Sequence, residues 1–288
     1  MTSGSELHEW EGRTIEEWRV RWRVPAIVAF DTTGSTNDVA RALADDGAAA
    51  GLLVMTEHQT TGRGRMSRQW LDLPGRSLLL SFVLRPGPAS DDVAPGTAPI
   101  RVGIAVAGAL RDGVGIDARL KWPNDIVVPG GGKLAGILCE AASAGGRTVI
   151  VAGIGINVLQ RGDEWPAALR DRATSIAQIL GDAAPDRAVV MDTVVPALTP
   201  LFTMPLEPLT ASELRSYDAL DALRGLVVTT AGPDPVQGVA VGLAPDGALL
   251  IESTAGAAGE PVRTVHRMSS GSVRVTGPYP TSSAGTPT

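Results

Sequence analysis

RLKWPNDIVVPGGGKLAGILCE, residues 119–140, holds three strand candidates: Arg119–Lys121, Asp125–Val128 and Lys133–Glu140. Gly130-Gly131-Gly132 reads as a turn that makes the last two a hairpin. The polar pair Asn124-Asp125 stands where one candidate ends and the next begins, a usual place for functional side chains. Taken alone, the pair also reads as plain turn chemistry. Lys133 opens its strand directly after three glycines. A phosphate-binding P-loop needs Ser or Thr after the lysine, and here Leu134 follows. By itself Lys133 reads equally as a surface hairpin lysine.

Strands extend outward on both sides. TVIVAGIGIN (148–157) is apolar and ends on the polar Asn157. Its Gly153-Ile154-Gly155 begins like a dinucleotide-binding fingerprint, but the third glycine and the following helix pattern are missing. Gly155 is better explained by a close approach of backbone to another group. Upstream, VPAIVAF (24–30), GLLVMTE (51–57) and SLLLSFVL (77–84) read as strands. Ser35 or Thr36 can cap a helix with Val39, Ala40 and Leu43 on its apolar face, closed by Gly47. Pro99 suits the first turn of a helix running to about Asp112. Residues 187–223 have apolar helical spacing interrupted by Pro196, Pro200, Pro205 and Pro208. After Leu223 short alternating runs separated by turn residues suggest a small all-β barrel.

The chain has 288 residues, enough for about two domains at roughly 150 residues each. Its 44% apolar and 19% charged residues are ordinary globular usage, which excludes wholesale disorder. A net charge of −6 argues against a chain built to grip nucleic acid. Cys139 is the single cysteine, so no intramolecular disulfide forms, and its simplest role is a small buried hydrophobe. The three histidines are scattered and suggest no metal site. No apolar run reaches the roughly 18 residues of a membrane span, and the N-terminus shows no secretory pattern, so a cytoplasmic protein is expected.

Residues 60–70, TTGRGRMSRQW, carry Arg63, Arg65 and Arg68 beside Gly62 and Gly64. Glycines let backbone bend closely round a ligand, and guanidinium forks match carboxylate and phosphate oxygens. An isolated loop of this kind is also read as solvated basic surface or as an RNA-binding segment. Against the latter, it occurs once and lies between two apolar strands.

Together and in this order, GSTN (34–37), EHQTTGRGRMSRQW (57–70), KWPND (121–125), GKLAGIL (132–138) and GIGIN (153–157) resemble the biotin–protein ligase family, with weaker agreement at ATSI (173–176). The resemblance covers roughly residues 25–280. It implies an α+β fold: a mixed β-sheet flanked by helices, followed by a small SH3-like β-barrel. The expected division is an N-terminal extension at 1–24, a catalytic domain at 25–223, the barrel at 224–276 and a disordered tail at 277–288. The implied chemistry joins ATP and biotin to biotinyl-5′-AMP with release of pyrophosphate. The biotinyl group then passes to a lysine of a biotin carboxyl carrier domain, with Mg²⁺ on the nucleotide phosphates.

The resemblance also implies roles. Ser35, Thr36, Asn37, Gln59 and Gly136 line the biotin site. Gly62, Arg63, Gly64, Arg65 and Arg68 belong to a loop that folds over the adenylate and is mobile without ligand. Lys133 meets the biotin carboxylate and the α-phosphate. Asn124 and Asn157 lie near the nucleotide and its metal, and Asp125 orients the incoming amine. Trp165 is the candidate to pack on adenine, while Trp70 either covers the loop or joins the core. With only about 24 residues before the first core strand, a ligase without repressor function is expected. The physical logic agrees. Two anions must react, and Arg63, Arg65, Arg68 and Lys133 offset their repulsion. The substrate carboxylate is itself the nucleophile, so no Ser–His–Asp or Cys–His set is needed. A lipoate or octanoate ligase or transferase of the same fold is the alternative, and a non-catalytic binding protein is the third reading. Exposed sheet edges leave room for a homodimer.

Overall fold

The computed structural model describes residues 4–87, 94–144, 147–232, 234–255, 262–277 and 279. A short hairpin, β1 (Glu9–Trp10) and β2 (Arg13–Thr14), leads into α1 (Ile15–Trp22). Then come β3 (Ile27–Thr33), α2 (Thr36–Asp45), β4 (Leu53–Gln59), β5 (Ser77–Leu84) and α3 (Thr97–Val114). They are followed by β6 (Arg119–Lys121), β7 (Asp125–Val127), β8 (Lys133–Ala144) and β9 (Arg147–Asn157). Helices α4 (Ile176–Leu180), α5 (Arg187–Leu198) and α6 (Ala211–Leu220) precede β10 (Val227–Thr230), β11 (Gln237–Leu243), β12 (Leu249–Ala255), β13 (Val262–Met268) and β14 (Val273–Val275).

Seven strands form one sheet in the order β3-β4-β5-β9-β8-β7-β6. Only β3 and β4 run parallel, which makes the sheet mixed, as expected. Side chains alternate between faces along a strand. In β5 the even positions Leu78, Leu80, Phe82 and Leu84 enter the main core, as do Ile150, Ala152, Ile154 and Ile156 of β9. Residues of α1, α3, α5 and α6 complete that core. On the opposite face α2 packs Ala40 and Ala44 on Val54, Val83, Val149 and Val151.

The N-terminal extension packs on this body through its hairpin and α1. Trp10, Trp18 and Trp22 are all buried, and Trp18 and Trp22 stack at 4.7 Å between ring centroids. Arg187 of α5 ties the hairpin down: its guanidinium lies 2.7 Å from Glu57, 2.6 Å from Glu11 and 5.4 Å over the Trp10 ring. Both sheet edges are partly covered. Leu7 N donates to Ala29 O beside β3, and Ala222 N donates to Leu120 O beside β6. Edge pairing by a second copy is thus closed at these positions.

Pro196 lies within α5 without ending it, and the helix runs on to Leu198. After Leu223 the five strands expected from the alternating runs form an antiparallel sheet in the order β13-β12-β11-β10-β14. Among the described residues no pairing joins β13 to β14, so the sheet is not a closed barrel. Trp122 Nε1 donates to Gly247 O at 3.0 Å and links this sheet to the large one. The expected disorder of the tail falls almost wholly outside the described residues. No described helix is long and apolar enough to cross a membrane.

Removing Arg187 would leave Glu57 and Glu11 without their cation and Trp10 without its lid. Arg187→Ala is expected to cost about 3 kcal/mol in urea unfolding. A loss below about 0.5 kcal/mol would show that the N-terminal hairpin is not held this way.

Candidate active site

The face of the large sheet that carries α2 also carries the motifs. Glycine takes the positions where neighbours come close. A Cβ on Gly153 would lie 2.2 Å from Asn37 Oδ1, and one on Gly155 would lie 2.5 Å from the Trp70 ring. A Cβ on Gly136, paired with Gly155 across β8 and β9, would be 2.8 Å from the same indole. GIGIN therefore alternates core isoleucines with glycines that make a floor. Trp70 lies on that floor with Lys133 Nζ 5.4 Å from its ring centroid. Its Nε1–H is buried without a partner.

At one end of the floor stands the start of α2. Ser35 occupies the N-cap position, yet its hydroxyl makes no capping bond. Gln59 takes over: Thr36 N and Oγ1 donate to its Oε1 at 2.8 and 3.1 Å. This leaves the buried Ser35 hydroxyl uncommitted to the helix end. Asn37 is oriented from both sides, since Ser81 Oγ donates to its Oδ1 at 2.6 Å and its Nδ2 donates to Glu140 Oε2 at 2.6 Å.

At the other end Lys133 Nζ pairs with Asp125 at 2.6 Å. Backbone bonds fix that lysine: its N–H donates to Arg172 O at 2.8 Å, and its carbonyl accepts from Thr174 N at 2.9 Å. Asn157 Nδ2 reaches the same carbonyl at 3.3 Å, while Gln160 donates to Asn157 Oδ1 at 3.3 Å. Asn124 Nδ2 donates to Ile137 O at 2.5 Å, stapling the KWPND turn to β8.

The arginine loop forms a small hairpin. Arg63 pairs with Gln69 as an antiparallel bridge, and Gly64 N donates to Arg68 O at 2.7 Å. Trp70 N donates to Gly62 O at 3.0 Å, and a Cβ on Gly62 would strike Trp70 O at 2.7 Å. Met66 and Ser67 at the tip have φ of +56° and +57°, a region in which each non-glycine residue costs about 1–2 kcal/mol. Desolvation lowers the Arg65 pKa, opposed by the nearby Asp125 charge and reinforced by Arg68. Among the described residues no carboxylate lies within ion-pair distance of Arg65 or Arg68.

The structure thus brings together Ser35, Thr36, Asn37, Gln59, Gly62, Arg63, Gly64, Arg65, Asp125, Lys133 and Gly136. Asn124 and Asn157 hold the same site from behind through their amides. Trp165 is buried, and its Nε1 donates to Gln178 Oε1 at 2.6 Å. Ser81, Glu140, Asp38 and Gln160 were not singled out from sequence. Ser81 had a weak signal, as a hydroxyl in the middle of an apolar strand. Cys139 is half-buried, and desolvation pushes its thiol up to about 12, so it is chemically quiet. Among the described residues no three His, Cys, Asp or Glu side chains gather as a metal site.

Residues 29–157 match the model of the biotin/lipoate A/B protein ligase family. A biotin–[acetyl-CoA-carboxylase] ligase of Paracoccus denitrificans is 30% identical over 235 residues, covering 78% of this chain and 93% of that protein. The chain belongs to the biotin–protein ligase family. The bifunctional ligase/repressor BirA of Bacillus spizizenii is 38% identical over 169 residues, 57% of this chain, and the match spans 50% of that relative's length. The fold is that of the biotin protein ligase from Aquifex aeolicus, solved in complex with biotin and ATP, with a TM-score of 0.69 and 27% identity over 88% of this chain and all of that one. The ligase fold accounts for the mixed sheet, its flanking helices and the C-terminal antiparallel sheet together.

A methyl group at Gly155 has no space beneath the indole. Gly155→Ala is expected to push Trp70 off the floor and raise quenching of its fluorescence by acrylamide, read against a Trp70→Phe control. Unchanged quenching would mean that the indole does not rest on Gly155.

Proposed function

We propose that this protein is an ATP-dependent biotin–protein ligase that makes biotinyl-5′-AMP and passes biotin to a lysine of a biotin carboxyl carrier domain, as in an acetyl-CoA carboxylase. The observation that carries this reading is Lys133, pinned through its backbone and 2.6 Å from Asp125, beside a glycine floor and two arginines without acidic partners. Family membership and the biotin–ATP complex of the Aquifex aeolicus relative support the choice of substrates.

In the first step a biotin carboxylate oxygen attacks the α-phosphorus of ATP and pyrophosphate leaves. Both partners are anionic, so cations must be present before they approach. Lys133 lies where it can bridge the carboxylate and the α-phosphate, and Arg65 and Arg68 can take the charge that builds on the phosphates. Magnesium comes with the nucleotide as MgATP, held mainly by phosphate and water oxygens. Ser35, Thr36, Asn37 and Gln59 provide hydrogen-bonding groups for the polar ring end of biotin, and the Gly136 floor admits its flat, apolar part. Arg63 and the loop glycines close the site from above.

In the second step the neutral amine of an acceptor lysine attacks the acyl carbon and AMP leaves. A lysine near pKa 10.4 is protonated in neutral water, so its proton must be removed or held aside. In this reading Asp125 orients the amine and accepts that proton once Lys133 turns toward the phosphate. Closing the loop keeps water from the mixed anhydride. A cytoplasmic setting, where ATP and carrier domains meet, belongs to the same proposal. A homodimer belongs to the proposal only as an option open at the uncovered parts of the sheet edges.

ATP–pyrophosphate exchange with biotin, lipoate or no acid tests the reading. Exchange with biotin alone is expected; exchange with lipoate alone would move the protein to the sister activity, and none with any acid would overturn ligase chemistry. Lys133→Ala is expected to reduce biotin-dependent exchange by at least about 100-fold. Asp125→Ala should instead slow transfer to the carrier more than exchange, and the opposite order would refute its assigned role.

A further inference from the structure

Arg63 is bound differently from the other arginines of its loop. Its guanidinium meets Asp38 of α2 in a two-pronged pair, with both contacts at 2.6 Å. A third contact reaches Glu140 Oε2 of β8 at 3.4 Å, and that oxygen also accepts from Asn37 at 2.6 Å. One arginine thus joins the loop to a helix and to a strand at once. We propose that Asp38 and Glu140 are positioning residues that latch the arginine loop shut, and that Arg63 spends its charge on this latch so that Arg65 and Arg68 stay available to substrate. The value of the latch rests on the ligase reading, because that reading says what the loop encloses.

Three features support it. The loop is a hairpin with its own backbone bonds, so holding Arg63 at its base also sets the direction of its tip. Paired guanidinium–carboxylate bonds fix orientation as well as distance, which a single contact does not. The tip holds Met66 and Ser67 at positive φ, so the hairpin has a conformational cost that its contacts must offset. The latch is also suited to release. The Arg63 and Asp38 side chains are 38% and 55% exposed, so water and salt weaken the pair. Burying all three arginines against acids would instead neutralise the site. Neither Asp38 nor Glu140 is asked to touch a reacting atom.

Limited trypsin digestion of the full chain without ligands tests the latch, because Arg63, Arg65 and Arg68 are cleavage sites in the loop itself. Asp38→Asn is expected to speed loop cleavage about 3- to 10-fold, and Glu140→Gln, which keeps an acceptor for Asn37, about 2-fold. Asp38→Glu should recover most of the protection. Raising salt from about 50 to about 500 mM should speed wild-type loop cleavage and leave Asp38→Asn unchanged, after correction for trypsin activity on a small peptide. In pyrophosphate exchange, Asp38→Asn should raise KM several-fold with kcat nearly unchanged. Wild-type cleavage rates in both Asp38→Asn and Glu140→Gln, or no recovery in Asp38→Glu, would overturn the latch. Should Asp38→Asn fail to fold, Glu140→Gln and the wild-type salt response decide. Cleavage uses neither biotin nor ATP, so its outcome is independent of the exchange assay that judges the ligase reading.

Discussion

A strand turns successive side chains to opposite faces, and in β9 this constraint builds both the core and the floor of the site. Ile150, Ala152, Ile154 and Ile156 point into the main core. Gly153 and Gly155 point the other way, where Asn37 and Trp70 press within the space of a methyl group. Burying the isoleucines therefore also aims the glycines. The register with β8 brings Gly136 opposite Gly155, and β5 adds Ser81 beside Asn37. A one-residue slip would reverse all of this, and the apolar face prevents it by its burial.

The site is a balance of charge as much as a shape. Lys133 and Arg63 already have acidic partners, whereas Arg65 and Arg68 have none within ion-pair distance among the described residues. Arg65 is half-buried without such a partner, and a partly desolvated charge is costly unless an anion arrives. That cost favours binding of phosphate and carboxylate groups. Asp125 moderates it in the resting protein by lying against Lys133.

Much of this was legible in the residues. The strand of residues 77–84 was located to the residue, because a short apolar run between turn signals leaves little choice, and the bounds of 119–121 also agree. The ordered motifs pointed to the family, and the structure gathers most of their polar residues on one face of the large sheet. Other features gave no local signal. Nothing in the N-terminal stretch signals that Arg187, far along the chain, holds Glu11 and Trp10. The bond from Trp165 Nε1 to Gln178 likewise has no signal in local spacing. Ser35 looked like a cap, and Gln59 performs that task from a neighbouring strand. The tail and the loop at 88–93 lie outside the described residues.

By itself, the sequence determined which segments are strands, which loop carries the arginines and which family's chemistry the motifs spell, because these depend on spacing along the chain. Tertiary structure alone decided which charges meet. Arg63 and Asp38 are 25 residues apart, and Arg187 and Glu57 are 130 apart. Nothing in local spacing distinguishes Arg63, which is held by acids, from Arg65, which is not. That difference comes from the side chains that α2 and β8 place around the loop, and it appears only when the sheet has brought them there.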